Sequence, residues 1–165
     1  MFLRQHRQAF ARRGGRTEKT SRTGREVIKF LVGVVTGIID MAFNEFEEAL
    51  KNMDEIEITV TGRKSGRRIS NPVWFVQEAE KLYLLPVKGS DSDWYKNILK
   101  TPTMHLNGGG KEWTAEVTPV TDTVKVRDIV EKFRHKYGAD QVKKYYSKFD
   151  VAVDVPSSGT QRRTA

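Results

Sequence analysis

The feature that most constrains the fold is a change of hydrophobic period near Glu55. Before it, apolar residues recur at Val27, Leu31, Val34, Val35, Ile38, Ala42, Phe46, Ala49 and Leu50, which is helical spacing. After it, Ile56, Ile58 and Val60 alternate with polar neighbours, as in a strand with one buried face. Further strands are predicted over 69–77, 82–86, 103–107, 112–118 and 151–155. Turns are expected at Gly62–Gly66, Glu78–Lys81 and Gly108–Gly110. A short helix is predicted from Asp93 to Lys100, stopped by Thr101-Pro102, and others over Thr123–Tyr137 and Ala139–Phe149. No alternation of strand, helix and parallel strand runs through this order, which argues against a doubly wound sheet. The pattern predicts an α+β protein: a small barrel or curled sheet of about six mostly antiparallel strands, with helices packed around it.

The first helix is expected to open at Thr23, because Thr23 and Glu26 have the spacing of a reciprocal capping box. Its apolar stretch to Phe43 is interrupted by Lys29 and Asp40, and Gly33 and Gly37 sit one turn apart. A packed or membrane-surface amphipathic helix over residues 27–46 fits this better than a span. Pro72 inside the second strand predicts a bulge or an edge position, since proline cannot donate to a ladder.

At 165 residues with 38% hydrophobic content, the chain suits one domain with one core. The expected organisation is a basic disordered arm over 1–22, a single domain over 23–156 and a disordered tail over 157–165. The net charge of +8 invites a nucleic-acid reading, so its location matters. Residues 1–25 hold eight cations against one carboxylate, a balance of +7, and Arg162 and Arg163 add +2, leaving −1 for the rest. The basicity therefore belongs to the termini. A solvated arm, an arm for nucleic acid or anionic lipid, and an Arg-rich targeting segment all fit it, and nucleic acid is not the expected partner of the body. Cysteine is absent, which removes disulfides and thiolate chemistry and fits a cytoplasmic chain. His6, His105 and His135 have no ligand spacing, so no metal centre is expected.

Thr61-Gly-Arg-Lys-Ser-Gly-Arg-Arg68 is the most informative segment. It lacks the spacing of a P-loop and runs into a strand rather than a helix. It places Arg63, Lys64, Arg67 and Arg68 around one glycine-bounded turn, which suits a phosphate or carboxylate and equally suits a solvated basic hairpin. Further on, Lys88 emerges at a strand end, and Trp94 and Asn97 share a helix face three residues apart. An aromatic beside an amide can stack on and edge-recognise a planar cofactor; a plain core anchor is the alternative for Trp94.

Taken together, Thr61–Gly66, Asn71-Pro72-Val73-Trp74-Phe75, Lys88-Gly89 and Asp93-Trp94-Tyr95-Lys96-Asn97 resemble the deazaflavin-dependent nitroreductase family. The resemblance runs from about Ile56 to Val120, with a weaker echo to Val155. It implies a flavin-reductase-like split β-barrel that holds coenzyme F420, with FMN or haem as alternatives in the same fold. The implied activity is hydride transfer to a small-molecule acceptor such as a quinone or nitroaromatic. A non-enzymatic cofactor-binding protein is the alternative.

Carried onto this chain, the resemblance implies that Arg63, Lys64 and Ser65 hold the cofactor's anionic tail. Asn71, Pro72, Val73 and Trp74 would lie along the ring, with Lys88, Trp94 and Asn97 closing over it. The chain departs from the pattern at Ile69, where relatives carry arginine, so either a tail-binding cation is missing or Arg68 supplies it from the adjacent position. Tyr137 corresponds to a substrate-side tyrosine, expected to donate a hydrogen bond to the acceptor or else simply to pack. A homodimer and a peripheral membrane contact through residues 27–46 are further expectations.

Overall fold

The computed structural model describes residues 20–157, with side chains from residue 24 onward. The expected arm and tail fall almost wholly outside the described residues. The chain divides into two compact units, the second beginning at Thr36, so the boundary lies within the first helix, α1 (Thr20–Leu50). Because α1 already runs through Thr20, Thr23 and Glu26 lie inside it. They do not form its cap.

In the second unit the C-terminal turns of α1 are followed by β1 (Ile56–Thr61), β2 (Arg68–Val73), β3 (Phe75–Glu78), β4 (Lys81–Leu84), a 3-10 turn (Gly89–Asp91) and α2 (Asp93–Lys100). Then come β5 (Thr103–Gly108), β6 (Lys111–Glu116), β7 (Thr118–Val120), α3 (Thr123–Tyr137), α4 (Ala139–Tyr145) and β8 (Ala152–Pro156). The strands form two antiparallel four-stranded sheets, in the orders β2-β1-β5-β6 and β3-β4-β8-β7. This is an α+β fold with two separate sheets.

The eight strands come from the six expected ones by two interruptions. The run expected over 69–77 breaks at Trp74, where β2 ends the first sheet's edge and β3 begins the edge of the second. The run over 112–118 breaks at Val117, again passing from one sheet to the other. A sheet switch needs one residue out of register, and hydropathy does not register it. Pro72 sits in edge strand β2, as its missing N–H requires. The β5–β6 hairpin turns through Gly109 and Gly110, with φ of 59° and 75°; a two-residue turn with both φ positive suits glycine. Helix α4 stops at Tyr145, short of the expected Phe149.

Alternation assigns side chains to layers. Ile56, Ile58, Val60, Met104, Leu106, Trp113 and Ala115 bury one face of the first sheet against Phe75, Leu82, Leu84, Val153 and Val155 of the second. Phe43, Phe46 and Leu50 of α1 close that core, with Phe43 edge-on to Trp113 at 5.0 Å. The intervening residues of the second sheet, Val76, Tyr83 and Ala152, face α3 and α4 through Val126, Ile129, Phe133 and Val142. The second sheet is thus covered on both sides, which is why β8 is buried at four successive positions. Burying a side chain such as Leu82 or Phe133 fully contributes about 1.5–3 kcal/mol each. Among the described residues, no helix is long and apolar enough to cross a membrane.

Candidate functional site

A groove of about 640 Å³ opens where the β1–β2 turn, the outer end of β2, the 3-10 turn and α2 meet. One wall is the basic turn. It closes on itself through Gly62 N–H to the Arg67 carbonyl (2.7 Å) and Gly66 N–H to the Gly62 carbonyl (2.8 Å). Arg63 ties this wall to α2. Its guanidinium donates to Asn97 Oδ1 (2.9 Å) and Asp93 Oδ1 (3.0 Å), and its backbone N–H also reaches Asn97 Oδ1 (3.1 Å). The Lys100 ammonium adds a bond to the Arg63 carbonyl at 2.9 Å. The hydrogen bond and charge of Arg63 hold the Asp93 carboxyl below the usual range. Asp93 also sits in the first turn of α2, where the helix dipole favours negative charge.

The opposite wall is the 3-10 turn. Gly89 carries φ of 55°, and a Cβ there would stand 2.1 Å from Asp150 Oδ1, so only glycine fits. Asp150 accepts from the Ser90 N–H (2.9 Å) and the Ser90 hydroxyl, while Lys148 donates to Ser90 Oγ (2.9 Å) and pairs with Asp91 (3.1 Å). Asp150 titrates below the usual carboxylate range: its burial acts in the other direction, but the bonds from Ser90 and Lys148 together outweigh it. Ser92 does not cap α2; its hydroxyl instead accepts from the Lys88 N–H at 3.0 Å and so fixes where Lys88 leaves the chain.

Of the residues singled out in the sequence, Arg63, Lys64, Ser65, Asn71, Pro72, Val73, Lys88, Trp94 and Asn97 line this one groove. Their parts differ. Asn97 is 3% exposed and Trp94 8%, so the first serves Arg63 and the second belongs mainly to the core, showing only an edge. Lys64 and Lys88 are exposed, and neither ammonium has a hydrogen bond or ion pair among the described residues.

Three of the expected site residues are not brought there. Arg68 lies on the far side of the hairpin, in a separate groove with Thr59, Thr61, His105 and Glu112. Adjacent strand residues point to opposite faces, so Arg68 does not replace the missing cation at Ile69, which itself lines the site. Trp74, at the sheet switch, stacks on Tyr137 at 4.3 Å and 12° and packs with Tyr145 and Tyr146. The Tyr137 hydroxyl is held by the carbonyls of Asp54 (2.7 Å) and Phe75 (2.9 Å) and by the Phe75 N–H (3.1 Å). Burial pushes that phenol up to about 12. Tyr137 thus packs on Trp74 with its hydroxyl against the backbone of Asp54 and Phe75.

Residues that sequence reasoning did not assign to the site also line it: Gly62, Ile69, Val87, Asp91, Ser92 and Asp93. Ile69 was legible from period two, sharing a face with Asn71. The pairing of Asp93 with Arg63, 30 residues away, left no local signal.

The family model described as "Uncharacterized protein conserved in bacteria (DUF2255)" matches residues 47–153. The chain belongs to the DUF2255 family. The match runs from the last turn of α1 into β8 and takes in every groove-lining residue. No curated protein matches the chain. Among solved structures, an F420-H2 dependent reductase (FDR-A) is 20% identical, with 62% of this chain and 94% of that chain covered and a TM-score of 0.50. A NimC/NimA family protein of Clostridium acetobutylicum is 18% identical, covering 69% and 81%, with a TM-score of 0.51. The haem storage protein HutZ of Vibrio cholerae is 12% identical, covering 68% and 87%, with a TM-score of 0.53. At these identities the likeness is one of fold, shared by proteins with different activities.

Proposed function

We propose that this DUF2255 chain is a split-barrel oxidoreductase that holds a deazaflavin of the F420 type, or FMN, in the groove between the basic turn and α2. The reduced ring would pass a hydride to a quinone, nitroaromatic or similar acceptor. The observation that carries this reading is convergence: nine residues, spread from 63 to 97 and singled out in the sequence, line one groove.

The groove fits such a group. Its volume lies in the range of small-molecule sites, about 300–1,000 Å³. Ile69, Pro72 and Val73 give an apolar strip for a flat ring, and the Asn71 amide can meet its polar edge. Lys64 and Lys88 are the cations left to bind a phosphate or carboxylate tail, since Arg63 is already engaged by Asn97 and Asp93. Arg63 and Asn97 hold the turn, and Ser92 aims Lys88. Tyr137 is a positioning residue in this reading: it fixes the backbone at Phe75, directly after the β2–β3 switch. Haem fits less well, because no histidine or methionine lines the groove to serve as an axial ligand.

Titration of the protein with oxidised F420 and, separately, with FMN, followed by tryptophan fluorescence, tests this. Saturable binding that Lys64→Ala and Lys88→Ala each weaken about tenfold supports the assignment, that being the usual scale of one charge-assisted hydrogen bond. FMN preference keeps the groove and changes the cofactor. Binding of neither overturns the proposal.

A further inference from the structure

The first sheet carries a second groove, on the face turned away from the core. Pairing in the order β2-β1-β5-β6 sets Ser70, Thr59, His105 and Thr114 side by side in one row across all four strands. Within that row Thr59 and Ser70 share a hydrogen bond between hydroxyls (2.8 Å), and His105 Nδ1 shares one with the Thr114 hydroxyl (2.6 Å). Arg68 and Thr61 pair at one end of the groove, with Thr103 lining it too, and Glu112 stands at the other. Between them lies a space of about 470 Å³.

The charges at the two ends are opposite, and neither is satisfied by the protein. The Arg68 guanidinium has no hydrogen bond or ion pair among the described residues. The Glu112 carboxylate approaches only His105 Nε2 among them, at 3.7 Å, which is beyond hydrogen-bond reach. The hydroxyls of Thr61 and Thr103 are likewise unpaired among the described residues. One exposed, unpaired side chain is ordinary. Two of opposite sign in one groove, with a row of fixed polar groups between them, prescribe the charges of what fits there.

We propose that this groove binds a small zwitterion whose opposite charges lie about 10 Å apart, as in an extended tripeptide with free termini. Arg68 takes the carboxylate, since a guanidinium fork matches its two oxygens, and Thr61 and Thr103 donate to it. Glu112 takes the ammonium. Thr59, His105 and Thr114 meet the peptide groups in between. The spacing follows from the sheet: Arg68 is on β2, and Glu112 leans towards His105 on β5, two strand spacings or about 10 Å away. Three extended residues reach about the same distance, roughly 10 Å. A simple anion fits less well because Glu112 faces it, and a simple cation meets Arg68. Threonines on paired strands hold few rotamers, so little ordering is needed on binding. None of these residues lines the cofactor groove, and the inference is independent of the cofactor assignment.

Titration of the full chain with triglycine, followed by amide NMR at Thr59, Thr61, His105 and Thr114, tests it. Saturable shifts at these residues are expected. Triglycine amide lacks the carboxylate and N-acetyltriglycine the ammonium, and each should bind about tenfold more weakly, the scale of one charged hydrogen bond. Arg68→Gln should weaken triglycine about tenfold and bind triglycine and its amide alike. Glu112→Gln should likewise stop distinguishing triglycine from its acetylated form. Both side chains are exposed, so the urea midpoint should not move in either variant, which separates lost binding from lost folding. Three results would overturn the proposal: no saturable shift with triglycine, glycine or inorganic phosphate binding as tightly as triglycine, or an Arg68→Gln protein that still prefers triglycine to its amide.

Discussion

The groove and the aromatic cluster around Trp74 are built from one stretch of chain, Asn71–Phe75, yet they spend their polar groups in opposite ways. On the groove side, Asn71 and Val73 line an open site in which two ammonium groups have no protein partner. On the other side, the indole of Trp74 is stacked, and the Tyr137 hydroxyl is met by three backbone groups. Groups that the protein has already satisfied hold shape, whereas groups left unsatisfied at an open surface are the ones available to a ligand. Within the groove the same division separates Arg63 and Asn97 from Lys64 and Lys88.

That contrast can be broken by experiment. The largest expected effect is on the aromatic side. Trp74→Ala removes the Tyr137 stack and opens the sheet switch, and should cost about 3 kcal/mol in urea unfolding, at the lower end for a large aromatic because Trp74 is only partly buried. Next comes the Lys64→Ala, Lys88→Ala double variant. Cofactor affinity should fall about a hundredfold, equivalent to about 2.7 kcal/mol, with the unfolding midpoint unchanged. A loss of stability with intact binding would reverse the roles drawn for the two regions.

Tyr137→Phe should cost about 1–2 kcal/mol, since it leaves backbone groups at Asp54 and Phe75 short of a partner. It should also reshape the alkaline limb. The phenol titrates near 10 when unfolded and at about 12 when folded, so the unfolded chain holds fewer protons between those values. The stability that its burial contributes is present below pH 10 and lost as pH rises towards 12, and Tyr137→Phe should make that decline shallower. Loss of hydride transfer in this variant with stability unchanged would instead put the hydroxyl in the chemistry. The smallest effect is expected for Arg63→Lys, which keeps the charge but cannot bridge Asn97 and Asp93 with a planar fork. Affinity should fall severalfold, while the apolar strip still binds.

Much of the groove was legible in advance because its parts are local. The basic turn is bounded by Gly62 and Gly66, α2 runs from Asp93 to Lys100 between an acidic start and a proline stop, and the alternation along β2 puts Ile69, Asn71 and Val73 on one face. Arg68, which the resemblance offered as the replacement cation, lies instead with Thr59, Thr61, His105 and Glu112. What alternation did not show was the break at Trp74. A strand that leaves one sheet for another keeps its apolar character, so the interruption is invisible to period, which predicts one strand over 69–77.

The sequence by itself determined the α+β class, the antiparallel hairpins, the three helices after Asp93 to within a few residues, and the segregation of positive charge to the termini. Each of these follows from spacing, turn chemistry or capping within a few residues along the chain. Only the tertiary structure decided that the strands form two sheets, and that Arg63 and Asn97 serve each other while Lys64 and Lys88 stay free. It also turned Tyr137 towards Asp54 and Phe75. Those outcomes depend on which polar groups find partners 30 or more residues away, and a hydrogen bond between distant residues leaves no periodic trace in either segment that makes it.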